Sequence, residues 1–139
     1  PLMQALAAVM DDGGEGATGR NSKAFTEMMK QAALFMKEPG GARIASIDVE
    51  GWDTHVGQVG RLDALFKALA EGILSYRIGM GAAWKQSAIL VMTEFGRTVK
   101  GNGTGGTDHG TGSVAFLFGG SVNGGRILGD WPGLASLYE

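Results

Sequence analysis

The chain has no cysteine, only three prolines and only two histidines in 139 residues. Without cysteine there can be no disulfide and no thiolate metal ligand, although this says little about compartment. No apolar run is long enough to span a bilayer. There is no basic run either, and a net charge of −2 gives no reason to expect nucleic acid or an anionic membrane surface as a partner. Glycine, by contrast, is abundant: its 25 residues gather at 12–19, 39–41, 101–112 and 119–133. Clusters of this kind between apolar runs mark turns and loops, and no internal period suggests a repeat. The length suits one domain with a modest core. The chain starts at Pro1 without an initiator Met or a signal-peptide pattern, which reads as a fragment or processed form.

Residues 1–20 read as a helix end (Leu2 to Met10) followed by a flexible loop (Asp11 to Gly19), and 21–139 as the main domain. Asn21 or Ser22 can cap a helix carrying Phe25, Met29, Ala32, Ala33 and Met36 at helical spacing, stopped by Pro39-Gly40. Val59 to Met80 is the strongest helix, with Leu62, Leu65, Phe66, Leu69, Ile73 and Tyr76 on one face. Strands are expected at Arg43 to Val49, Ala88 to Met92 and Val114 to Phe118, with a short edge strand at Arg126 to Leu128. The continuous apolar run at 88–92 suits a strand covered on both faces, as in a parallel sheet. Strand, long helix, strand is a βαβ unit, so the expected fold is α/β: a mainly parallel sheet flanked by helices, with the late strand 114–118 antiparallel. Three or four strands with three helices would not cover both faces of such a sheet. A missing N-terminal half or a partner chain is therefore expected.

Both histidines sit beside an aspartate in a glycine-framed pentapeptide: Gly51-Trp52-Asp53-Thr54-His55 and Gly106-Thr107-Asp108-His109-Gly110. Carboxylate and imidazole on tight loops suit a divalent metal or an acid–base pair. Asp53 and His55 read either as metal- or phosphate-site ligands or as an Asx-turn carboxylate and a surface imidazole. Asp108 and His109 can ligate neighbouring metals, or the aspartate can orient the histidine, or the pair is a polar loop tip. Glu94 follows an apolar strand, where a carboxylate needs a partner. It is a metal ligand or the ion-pair partner of Arg97. Arg97 could hold an anionic oxygen in bidentate fashion or be structural. In a parallel sheet, ligands bind at the carboxyl ends of strands. That places Asp53, His55 and Glu94 on one rim, which His109 joins if its strand runs antiparallel. Gly101-x-Gly103-x-x-Gly106 has the letters of a dinucleotide fingerprint, but no helix opens after it and it is not read as one. Trp52 and Trp131 could wall a pocket or anchor their loops.

Three segments taken together, Gly51 to His55, Thr93-Glu94-Phe95-Gly96-Arg97 and Gly106 to Gly110, carry a family resemblance, and the tail from Gly124 to Leu134 fits it. Over roughly residues 20–135 the chain resembles the C-terminal half of a large bacterial family of uncharacterised secreted proteins. Full-length members commonly carry twin-arginine export signals, and the family is placed with the alkaline phosphatases and sulfatases. The resemblance implies an alkaline-phosphatase-like sheet with zinc, manganese, magnesium or calcium at the strand ends. It also implies a periplasmic or extracellular location. Asp53 and His55 look like the first metal loop of that superfamily, Thr93 to Gly96 stands in the place of the second, and His109 looks like the third. Three departures stand out: the first Asp–His spacing is shorter than in phosphatases, Glu94 replaces an aspartate, and Phe95 stands where a histidine is expected. The superfamily's nucleophile belongs to the N-terminal half, so this chain alone is not expected to hold a complete hydrolase site or to be active. The expected metal ligands are therefore Asp53, His55, Glu94, Asp108 and His109, with Arg97 as the catalytic residue. The expected activity is metal-dependent hydrolysis of a small anionic ester or a sulfated or phosphorylated glycan. A non-catalytic binding or structural module of the cell envelope is the alternative.

Overall fold

The computed structural model describes residues 18–130 and Gly133. The helix end expected at 2–10, most of the loop expected at 11–19, and Trp131 lie outside the described residues. The chain divides into two compact units, one comprising 1–49 and 63–80, the other 50–62 and 81–139.

Among the described residues, the first unit is built on two helices, α1 (Thr18–Met36) and the part of α2 (Gln58–Met80) that begins at Asp63. On α1, Phe25, Met29 and Ala33 recur every four residues and are buried. On α2, Gly72, Tyr76 and Met80 do the same. Four-residue spacing puts each set on one face of its helix. On α1 this is the face the apolar periodicity indicated; on α2 only Tyr76 of the expected face is buried, and Phe66 is 44% exposed. The missing side chain at Gly72 admits Phe25, whose Cε1 lies 2.3 Å from where a Cβ would stand. Contacts advance in step, from Ser22 with Glu71 to Ala33 with Gly79, so the two helices run parallel. The Tyr76 hydroxyl donates to Met36 Sδ at 3.4 Å.

The strand expected at 43–49 does not form. The segment has no regular structure and no ladder partner among the described residues, and Ile44 is 88% exposed. Alternation alone cannot make a strand, because the unpaired N–H and C=O groups gain nothing over hydration. Without this strand there is no βαβ unit.

The second unit holds two antiparallel two-stranded sheets, which overturns the expected parallel, alkaline-phosphatase-like sheet flanked by helices. Strand β1 (Ile89–Val91) pairs with β4 (Phe116–Phe118), with Leu90 opposite Leu117. The apolar run at 88–92 suggested burial on both faces, but Leu90 is 59% exposed, so one face of this ladder is open. The second sheet is a hairpin of β2 (Gly96–Gly101) and β3 (Thr107–Gly110). Its residues were expected to be loop, because glycine, asparagine and aspartate are depleted in strands and crowd this stretch. Here glycine is a steric requirement: Gly96 and Gly110 are opposed, and a Cβ on Gly96 would stand 2.6 Å from the Gly110 carbonyl oxygen. The edge strand expected at 126–128 is also absent, and Ile127 is fully exposed. No helix of the described residues is long and apolar enough to cross a membrane.

Candidate metal centre

The segment 52–58 lies along the hairpin and is fastened to its turn by main-chain bonds. The amides of Gly57 and Gln58 donate to the carbonyls of Thr104 and Gly105, and the Thr107 amide donates to the Thr54 carbonyl. Thr54, only 1% exposed, anchors the segment from within. Its hydroxyl and that of Thr107 both donate to Gln58 Oε1, at 3.0 and 2.7 Å. Gly106 lies against this segment so closely that a Cβ there would meet the His55 carbonyl oxygen at 2.2 Å.

Pairing across the hairpin sets Arg97 opposite His109, so their side chains leave the same face. Both reach Asp53. The Asp53 Oδ1 atom takes a contact from Arg97 Nη2, one from His109 Nε2 at 3.0 Å and one from His55 Nε2 at 3.0 Å. The other ring nitrogen of His55, Nδ1, lies 3.0 Å from Asp108 Oδ1. Rings stack through the cluster: Phe95 on His109 with centroids 4.7 Å apart, and His109 on His55 at 5.1 Å. The Arg97 guanidinium lies over the Phe95 ring at 5.2 Å.

Of the residues expected from the sequence, Asp53, His55, Asp108, His109 and Arg97 come together, and Glu94 does not. Glu94 is exposed and is not among the residues whose ligand atoms converge, Asp53, His55 and His109. The ion pair considered between Arg97 and Glu94 is replaced by one with Asp53. Arg97 is 19% exposed at its side chain and is bound on several sides, donating also to the carbonyls of Thr107 and Trp52. It braces the cluster from within the hairpin.

Sequence reading missed Asn102, at the tip of the hairpin. Its Oδ1 accepts from the amides of Thr104 and Gly106, each at 3.0 Å, and its Nδ2 donates to the His55 carbonyl at 2.9 Å and to Asp108 Oδ1 at 3.0 Å. Every amide that bonds this side chain falls on its oxygen and every acceptor on its nitrogen, so the neighbours fix the amide's orientation. The available signal was the Asn-x-Thr within a glycine-rich stretch, which is Asx-turn chemistry.

The donor set fits a divalent metal. Asp53, His55 and His109 each offer one ligand atom, all within 4.8 Å of one another. The 3.0 Å separations match the roughly 3.0–3.4 Å between neighbouring ligands that follows from metal bonds of about 2.0–2.1 Å. Two imidazoles and a carboxylate suit zinc or another first-row transition ion better than calcium or magnesium, which take oxygen ligands. The His55–Asp108 contact is the outer carboxylate that metal-binding histidines generally have.

Desolvation alone would raise the Asp53 carboxyl pKa. The His109 hydrogen bond and the positive charges of Arg97, His55 and His109 outweigh it, holding the group below the usual carboxylate value. Asp108 is lowered as well, first by the hydrogen bond from Asn102 and then by that from His55, against a smaller desolvation effect. For groups depressed in the folded state, the stabilisation is present above the unfolded value of about 3.9 and is lost as pH falls through the folded values. Metal-free protein should therefore lose stability below about pH 4, and Asp53→Asn and Asp108→Asn should each flatten that limb. Chemical denaturation across pH 2–6 with chelator present measures it, and limbs of unchanged slope in both variants would refute the assignment.

A family model described as protein of unknown function (DUF1501) matches residues 2–138. No curated protein and no solved structure matches the chain.

Proposed function

The chain belongs to the DUF1501 family, and we propose that Asp53, His55 and His109 form the divalent-metal centre of a hydrolase acting on phosphate or sulfate esters. One observation carries the metal reading: both ring nitrogens of His55 face carboxylate oxygens at 3.0 Å. A neutral imidazole has one N–H, so only one of these contacts can be an ordinary hydrogen bond. The other is a close approach of Nε2 to Asp53 Oδ1 that a positive charge on Nε2, either a proton or a metal ion, would satisfy. With Nδ1–H donated to Asp108, the Nε2 lone pair points where Asp53 and His109 also converge.

When bound, the metal would supply Lewis acidity toward an ester oxygen. The chain's own residues do the positioning. Asp108 holds the His55 ring in the required tautomer, Arg97 fixes the Asp53 carboxylate, and the Phe95 ring covers one face of His109. Zinc or manganese is favoured by the donor set. The hydrolase chemistry and a periplasmic or extracellular location rest on the sequence resemblance, with small anionic esters and sulfated or phosphorylated glycans as the substrate classes.

The Arg97–Asp53 pair favours a second reading. A guanidinium on the central carboxylate balances its charge without any metal, as expected of a non-catalytic envelope module whose network only ties loops together. Metal analysis of purified protein, followed by a panel of aryl phosphates and sulfates with added zinc or manganese, separates the two. Roughly one tightly held metal per chain and a Tm that falls on chelation are expected, with ester turnover only when the N-terminal half that carries the nucleophile is also present. No retained metal and a Tm indifferent to chelator and zinc would sink the metal reading; metal without turnover of any ester by the protein with both halves would favour the module.

A further inference from the structure

Asn102 grips His55 from two directions. Its Nδ2 donates to the His55 main-chain carbonyl, and the same nitrogen donates to the Asp108 oxygen that faces the ring's Nδ1. Its Oδ1 is committed to the Thr104 and Gly106 amides, so the side chain is held at the turn by its acceptor end and acts on the site through its donor end. The Thr104 hydroxyl, 2.7 Å from the His55 carbonyl, reinforces the same attachment.

The Asp108 carboxylate is exposed and could rotate freely about its own side-chain bonds. A donor from a fixed turn removes that freedom and presents Oδ1 to His55 Nδ1. This favours the Nδ1–H tautomer and leaves Nε2 as the ligand atom. We propose that Asn102 is a positioning residue of the metal centre, acting through Asp108 to hold His55 in its ligating tautomer and orientation. The proposal rests on the metal reading above.

Asn102→Ser is the discriminating variant. Its hydroxyl can still accept from the Thr104 amide as a serine turn does, which preserves the hairpin tip, but it has no amide donor to reach Asp108. Zinc affinity, measured by competition with a chromophoric chelator, should weaken about 10- to 100-fold, the range for losing an outer partner of a ligating histidine. In metal-free protein, long-range nitrogen–proton NMR of the His55 ring should show the Nδ1–H form giving way to a mixture of tautomers. Asp108→Ala interrupts the same relay without touching the turn and should reproduce both changes. Because Asn102 reaches the His55 ring only through Asp108, Asn102→Ser in the Asp108→Ala background should leave the tautomer mixture unchanged and add well under its full loss of affinity, the remainder being its bond to the His55 carbonyl.

Additive losses of affinity, or a His55 ring signature unchanged in Asn102→Ser, would overturn the proposal while wild-type zinc binding stood. A wild-type protein that takes up no zinc would overturn the metal reading and, with it, the proposal for a metal centre. The ring signature in metal-free protein tells these two failures apart.

Discussion

Asp53→Ala should abolish metal retention, weakening zinc affinity by more than about 100-fold, beyond the range expected for an outer partner. The reason is convergence. Arg97, His55 and His109 all direct a nitrogen at Asp53 Oδ1, and among the described residues no other carboxylate touches all three. Removing it leaves two imidazoles and a half-buried guanidinium facing one another without the carboxylate oxygen on which they converge. Asp53→Asn keeps the size and one acceptor oxygen but not the charge, so it should preserve more of the fold while still losing the metal. Equilibrium dialysis with zinc, alongside thermal melts with and without chelator, measures both. If Asp53→Ala binds zinc as tightly as the parent, the centre is not where we place it.

Gly106→Ala is the second large effect. A Cβ at that position would stand 2.2 Å from the His55 carbonyl oxygen and 2.6 Å from that of Thr54. Both are main-chain atoms, so no side chain can swing aside and the two segments must separate. Overpacking of this kind typically costs about 1–3 kcal/mol, which corresponds to a Tm loss of roughly 3–10 °C in a chain of this size. Separation also carries His55 away from Asp108 and His109, so metal binding should fall together with stability. Gly103→Ala is the matched control: nothing lies within 4 Å of its Cβ position, and the melt should be unchanged. Equal behaviour of the two variants would mean that 52–58 does not lie against the hairpin in solution.

The helices were legible because their evidence is local and redundant. Phe25, Met29 and Ala33 repeat at helical spacing, as do the apolar residues from Leu62 to Tyr76, and glycines follow soon after each helix end, although of the second set only Tyr76 is buried. The sheet was misread because strand signals depend on context. Residues 43–49 alternate yet have no partner, while Gly96 to Gly110 lack the alternation and do pair. In that hairpin the ladder is specified by absent side chains at Gly96 and Gly110, a constraint that hydropathy cannot register. Asp53, His55, Asp108 and His109 stood out through the scarcity of histidine and the echo between two pentapeptides. They come together through a hairpin docked on 52–58, and not through the shared rim of a parallel sheet. Glu94 was added by the rim argument and is not among the residues whose ligand atoms converge. Asn102 carries no charge and sits among glycines, so only its bonds reveal it.

The separation of the two halves of the site along the chain has a consequence for the order of folding. His109 and Asp53 are 56 residues apart, with a 23-residue helix between them. The hairpin closes a short loop and can form early, whereas its docking on 52–58 must overcome the larger entropy of joining distant segments. Until that docking is complete, the hairpin contributes one histidine of the ligand set, and the segment 52–58 contributes the other with its aspartate. The proposed metal, needing all three, would therefore bind tightly only to a finished second unit. Ion uptake would then serve as a late check on assembly, and partly folded chains would compete poorly for scarce zinc.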